Sequence, residues 1–151
     1  MKILVMGNLW LPHLNNKCLF LTCPLLLRVF LSNNRHHSLS EFVRGSVPPN
    51  ELQIYTWMDA TLKELTNLVK EVNPDSRRKG TYFDFALVFP EARGPGYRMR
   101  DIGRTCSGEK FQDDNKTLAS CRFQIGDYLD IAITSPSYRG HDNRRGRQNT
   151  Y

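Results

Sequence analysis

A chain of 151 residues with 40% hydrophobic, 11% aromatic and 24% charged residues has the apolar content for one packed domain with flexible ends. The formal charge of +6 suits a nucleic acid or an acidic partner, but Arg139, Arg144, Arg145 and Arg147 against Asp142 place half of that excess on residues 135–151. Cys18, Cys23, Cys106 and Cys121 form no CxxC pair and no histidines stand at zinc-finger spacing, which argues against structural zinc and for reduced, partly buried thiols.

Met1–Thr22 opens with a lysine and a short apolar run, the outline of a secretion signal. Asn8, Pro12, His13, Asn15, Asn16 and Lys17 interrupt that run, and no small-x-small cleavage site follows. The run also falls short of the roughly 18 apolar residues that a membrane span requires. Residues 1–22 are expected to be an atypical apolar leader, poorly ordered, without secretion or membrane insertion.

From Cys23 the texture becomes that of compact elements. Cys23–Ser32 is a short apolar run bounded by the polar stretch Asn33 to His37, which predicts a strand. A loop with Gly45, Pro48 and Pro49 leads to ELQIYTW at Glu51–Trp57, rich in β-formers and predicted as the second strand. Thr61 with Glu64 three residues on is a capping box, each side chain satisfying an orphaned backbone donor. Leu62, Leu65, Leu68, Val69 and Val72 then make one apolar stripe at helical spacing, and Asn73-Pro74 ends the helix.

Tyr82–Phe89 alternates, with Phe83, Phe85, Leu87 and Phe89 toward the helix and Tyr82, Asp84, Ala86 and Val88 opposite. A Gly- and Pro-rich turn at Pro90–Gly96 precedes the strand YRMRDIG, and Ser107–Lys116 is predicted as a polar loop. FQIGDYLDIAIT at Phe123–Thr134 closes the domain, with Leu129, Ile131 and Ile133 inward and Tyr128, Asp130 and Ala132 outward. Residues 135–151 have no apolar periodicity and read as a basic disordered tail. Strand, strand, helix, strand, strand, strand predicts an α+β ubiquitin-like β-grasp: a mixed sheet with one main amphipathic helix, over residues 23–134. A ferredoxin-like fold would need a second helix, and no second amphipathic run is long enough.

CPLLLRVF at Cys23–Phe30, ELQIYTWMDATLKELTNLVKEV at Glu51–Val72, PGYRMRDIG at Pro95–Gly103 and FQIGDYLDIAI at Phe123–Ile133 carry a resemblance over about residues 23–134. The chain resembles the Sin three-associated polypeptide of the eighteen-kilodalton class. That resemblance implies a ubiquitin-like fold and a nuclear subunit of the Sin three histone deacetylase co-repressor assembly. It also implies membership of the apoptosis- and splicing-associated complex with Acinus and the serine-rich-domain RNA-binding protein, peripheral to the exon junction complex. Nuclear speckles, with some cytoplasmic pool, are the implied location. The family begins with a polar, charged segment, so the apolar leader departs from it and brings the start site, not the domain, into question.

No catalytic machinery is legible. No GxxxxGK[ST] or GxGxxG occurs, and Gly94-Pro95-Gly96 is too sparse to cradle phosphate. His36 and His37 read as a solvated pair, Asp113-Asp114 as loop residues and Asp127/Asp130 as lacking EF-hand spacing. Cys106 and Cys121 have no evident activating base. Cofactor and metal sites are expected to be absent. The terminus RRGRQNTY lacks the Gly-Gly pair of a conjugated modifier.

The expected function is therefore a non-enzymatic adaptor. Its expected partner surface is the sheet face away from the helix, where Arg28, Tyr55, Tyr82 and Tyr128 point outward with Trp57 at the strand end, all types enriched at interface hot spots. The alternative is a direct RNA-binding accessory protein, using Arg139, Arg144, Arg145 and Arg147 on phosphates. The aromatic signature of an RRM is missing, so RNA contact is expected to be indirect.

Overall fold

The computed structural model describes residues 2–5, 24–43 and 45–136. Its strands are β1 (Lys2–Val5), β2 (Leu25–Asn33), β3 (Glu51–Thr56), β4 (Tyr82–Pro90), β5 (Tyr97–Cys106) and β6 (Tyr128–Thr134), and α1 spans Leu62–Val72. One sheet takes all six strands in the order β1-β3-β2-β6-β4-β5. The β2/β6 and β1/β3 pairs are parallel and the rest antiparallel, so the sheet is mixed. With one helix laid across it, the architecture is the α+β ubiquitin-like fold.

Helix α1 begins where the residues dictate. The Thr61 side chain accepts the Glu64 N–H at 3.2 Å, and the Glu64 carboxylate accepts the Thr61 N–H at 2.8 Å. Leu62, Leu65 and Val69 are fully buried against Leu27, Val29, Ile54, Phe83, Phe85, Leu87, Leu129 and Ile131. Each such side chain contributes about 1.5–3 kcal/mol on leaving water, which is what holds the helix to the sheet. Thr66, also buried, bonds the Leu62 carbonyl at 2.8 Å and the Thr105 hydroxyl at 2.6 Å, tying α1 to β5. Gly103 lies where β5 bulges and passes closest to α1: a Cβ there would stand 2.8 Å from Leu62 Cδ1.

Several expectations need correction. Lys2–Val5 pairs in parallel with Leu52–Tyr55, so this part of the leader is a strand rather than a poorly ordered segment; an open β3 edge and three consecutive β-formers account for it. The leader residues 6–22 and residues 137–151 of the tail lie outside the described residues. The closing strand begins at Tyr128 rather than Phe123, because Gln124 and Asp127 bond each other in a turn while Phe123 is buried.

The simple inward–outward alternation also fails at the centre of the sheet. Phe30, Val88, Asp130 and Ala132, all on the face away from α1, are buried. The cause is the connection from β2 to β3. It crosses that face, turns through a short 3-10 segment at Leu39–Glu41, and seats Phe42 on Phe30 and Val88 with Val47, Tyr97, Met99 and Tyr128 around them. A second, smaller core thus lies opposite the helix.

Candidate functional site

On the outer face, away from α1, cross-strand register sets the expected residues in rows. Gln53, Arg28, Tyr128, Val88 and Met99 form one row, and Tyr55 pairs with Leu26 in the next. Arg28 grips Glu51 through Nε at 2.5 Å and Nη2 at 2.8 Å, and its guanidinium lies 5.0 Å from the Tyr128 ring centroid. Its hydrogen bonds hold the Glu51 carboxyl below the usual range, against burial that works the other way. Tyr128 is stacked with Phe42 at 5.8 Å and with Tyr97 at 6.0 Å, and meets the Phe30 ring edge-on. Arg28 and Tyr128 are therefore committed to intramolecular contacts that pin the crossing segment.

Tyr55 and Trp57 lie beyond that cover. Beside Tyr55, Leu26 is 38% exposed, an apolar side chain near the start of β2 facing solvent. Trp57 is half-buried and its indole Nε1 is shielded from water with no hydrogen-bond partner among the described residues. A buried donor left unpaired costs about 1–3 kcal/mol. The sequence signal for Leu26 was its place in the β2 alternation, opposite Leu25 and Leu27; a uniformly apolar run hid it.

Tyr82 belongs elsewhere. It lies six positions along β4 from Val88, about 20 Å at strand rise. There its ring packs edge-on to Phe111 and under the Arg104 guanidinium, which is bonded to Asp84. The expected set thus divides into a patch of Leu26, Arg28, Tyr55 and Trp57, the Tyr128 hub beside it, and a distant Tyr82. Arg139, Arg144, Arg145 and Arg147 lie outside the described residues.

His36 and His37 overturn the expectation of a solvated pair. Asp130 on central strand β6 is fully buried, and its carboxylate is met by His36 Nδ1 at 2.8 Å, His37 Nδ1 at 2.5 Å and the His37 N–H at 3.1 Å. The bond to Asp130 raises the His36 pKa despite partial burial. A His–Asp pair is also the orienting half of a catalytic triad. Here, among the described residues, neither imidazole bonds a hydroxyl or thiol, and the Ser32 hydroxyl donates to the Arg35 carbonyl at 2.6 Å. Below the histidines a cleft of about 380 Å³ is lined by Arg35, Asp84, Asp101, Arg104 and Asp113, charges that largely compensate one another. The arrangement anchors a loop; it does not assemble a nucleophile.

Among the described residues no group of three or more His, Cys, Asp or Glu side chains is arranged to hold a metal ion, and no helix is long and apolar enough to cross a membrane. Cys106 is buried and Cys121 half-buried.

Comparison with known proteins gives a consistent result. Residues 21–133 match the family model described as Sin3 associated polypeptide p18 (SAP18). The chain is 68% identical over 117 residues to the human protein named histone deacetylase complex subunit SAP18, covering 77% of this chain and 76% of that one. It is 63% identical to the Drosophila melanogaster protein of the same name, over 83% of this chain and 84% of the relative. To the Arabidopsis thaliana protein of that name it is 51% identical, over 74% and 75% of the two chains.

Proposed function

The chain belongs to the Sin3 associated polypeptide p18 family, and we propose on that footing that it is a non-catalytic nuclear subunit of a histone deacetylase co-repressor complex. The observation that carries the reading is the near-complete domain match to relatives named as subunits of that complex, 68% identical in the human case. The domain of residues 23–134 acts as an adaptor that borrows deacetylation from its partners. Its leader and basic tail lie to either side.

The contact surface is the patch formed by Leu26, Tyr55 and Trp57 with Arg28 at its border. It joins the exposed Leu26 to half-buried Tyr and Trp rings, the kind of composition that forms the energetic centre of an interface. The family resemblance further supports a role in pre-mRNA splicing, within the complex of Acinus and the serine-rich-domain RNA-binding protein, and a speckle-associated nuclear pool. RNA contact then passes through those partners.

Recovery of co-repressor subunits from nuclear extract by the tagged full chain tests this reading. Leu26→Glu and Tyr55→Ala, both on the exposed patch, are expected to lose recovery while leaving the thermal transition within a few degrees of the parent. Undiminished recovery by both variants would remove the patch from the account. Binding of single-stranded RNA that survives deletion of residues 135–151 would favour direct RNA recognition instead.

A further inference from the structure

The free edge of β5 is a second surface, distinct from the outer-face patch. Glu91 N–H bonds the Gly96 carbonyl at 2.8 Å across the β4–β5 turn, which makes that pair hydrogen-bonded. In an antiparallel ladder such pairs alternate, so the next are Phe89/Arg98 and Leu87/Arg100. The backbone groups of Met99 and Asp101, opposite Val88 and Ala86, then point away from the sheet.

Farther along, the edge is closed by side chains. Lys116 Nζ bonds the Ile102 carbonyl at 3.1 Å, Asp113 accepts the Arg104 N–H at 2.9 Å, and Lys63 Nζ bonds the Cys106 carbonyl at 3.1 Å. Among the described residues no such cap covers Met99 or Asp101. The half of the edge before the bulge is open.

Cations outnumber carboxylates on the helix side of this stretch. Arg98 and Arg100 flank Met99 on the helix side, next to a cleft of about 420 Å³ whose charged lining is Arg100, Lys116 and Arg122 with Asp101. Arg98 is paired with Glu91 and Lys116 with Asp113, whereas Arg100 bonds the Cys121 carbonyl and lies over the Phe89 ring, and among the described residues neither Arg100 nor Arg122 has a carboxylate partner. On the other face Met99 and Tyr97 border the Phe30–Phe42 core. The one carboxylate at the open stretch, Asp101, faces that outer side, in register with Ala86.

We propose that this open half of β5 binds an extended acidic peptide of a partner protein by strand addition. Its backbone pairs with Met99 and Asp101, its carboxylates alternate toward Arg100 and Arg122, and its apolar side chains alternate toward Met99. Charge selects this occupant. A second copy joined edge to edge would set arginines against arginines, and the chain's own tail is basic.

Amide exchange and fluorescence anisotropy of the full chain test the assignment, using a short labelled peptide of repeating Glu-Val. Exchange at Met99 and Asp101 is expected to slow on addition of the peptide, and affinity to fall with added salt. Arg100→Glu, at an exposed position, should weaken binding by about tenfold or more. A Lys-Val repeat and a backbone N-methylated Glu-Val repeat should both fail to bind. Equal affinity for parent and Arg100→Glu, binding without protection at Met99 and Asp101, or no binding at millimolar peptide would each overturn the proposal. So would oligouridine binding more tightly than the Glu-Val repeat, which would make the cleft a phosphate site. The patch of Leu26 and Tyr55 is untouched by these variants, so loss of co-repressor recovery there and loss of peptide binding here are separable.

Discussion

Replacing Asp130 with asparagine removes the charge that pins the outer-face crossing while conserving shape. The buried carboxylate accepts three hydrogen bonds, two from imidazoles and one from the His37 backbone. Hydrogen bonds to a charged group contribute about 1.5–3 kcal/mol each. Asparagine retains one acceptor oxygen but turns an NH₂ toward an imidazole Nδ1, so at least one bond is lost unless that ring changes tautomer. The expected loss is about 2–4 kcal/mol, or roughly 10–20 °C in Tm for a domain of this size. Urea unfolding of the full chain gives the free energy directly, and limited proteolysis near Phe42 reports whether the crossing has lifted. Asp59→Asn, on an exposed turn, serves as the control and should stay within about 0.5 kcal/mol. If Asp130→Asn matches that control and the crossing stays protease-resistant, the carboxylate is not its anchor. The same site fixes a pH dependence. His36 is raised above its ordinary value of 6.5 mainly by its bond to Asp130, so this coupling stabilises the fold fully below that value and is lost as pH rises through the folded-state pKa. Stability should decline from pH 6 toward pH 8 in the parent and be flatter in His36→Gln.

Gly103→Ala should cost about 1–3 kcal/mol in urea unfolding, because the new methyl meets Leu62 Cδ1 at 2.8 Å and Asp113 Cβ at 3.0 Å. Thr61→Ala removes the N-cap of α1 and should lower stability by about 1 kcal/mol, with the helix band in circular dichroism melting earlier. Glu51 is held below its ordinary value of 4.5 by Arg28, so the pair stabilises above that pH and is lost as pH falls through the folded-state pKa; Arg28→Ala should flatten that acid limb. Tyr128→Ala should lower Tm where Tyr55→Ala does not, because only Tyr128 is stacked with Phe42 and Tyr97.

What the sequence made legible follows from local chemistry. The capping box at Thr61, the leucine stripe behind it and the alternating phenylalanines of β4 each announce their structure within a few residues. What stayed hidden depends on residues far apart in the chain. Asp130 alternates as an outward residue by periodicity, yet His36 and His37, more than ninety positions earlier, cover it. Phe42 sits in a polar stretch with no period, so nothing local reveals that it roofs Phe30. For the same reason Tyr128, expected to face a partner, faces this chain's own loop, whereas Leu26, inside an apolar run, is exposed. The edge of β5 is legible only once Lys116 and Asp113 are seen to close one half of it and not the other.

The adaptor reading is tested most directly by following deacetylase activity. The tagged full chain, recovered from nuclear extract, is predicted to bring histone deacetylase activity with it, to lose that activity with Leu26→Glu, and to have none when purified alone. Deacetylation by the purified chain, or no enrichment of the activity over a tag control, would contradict it.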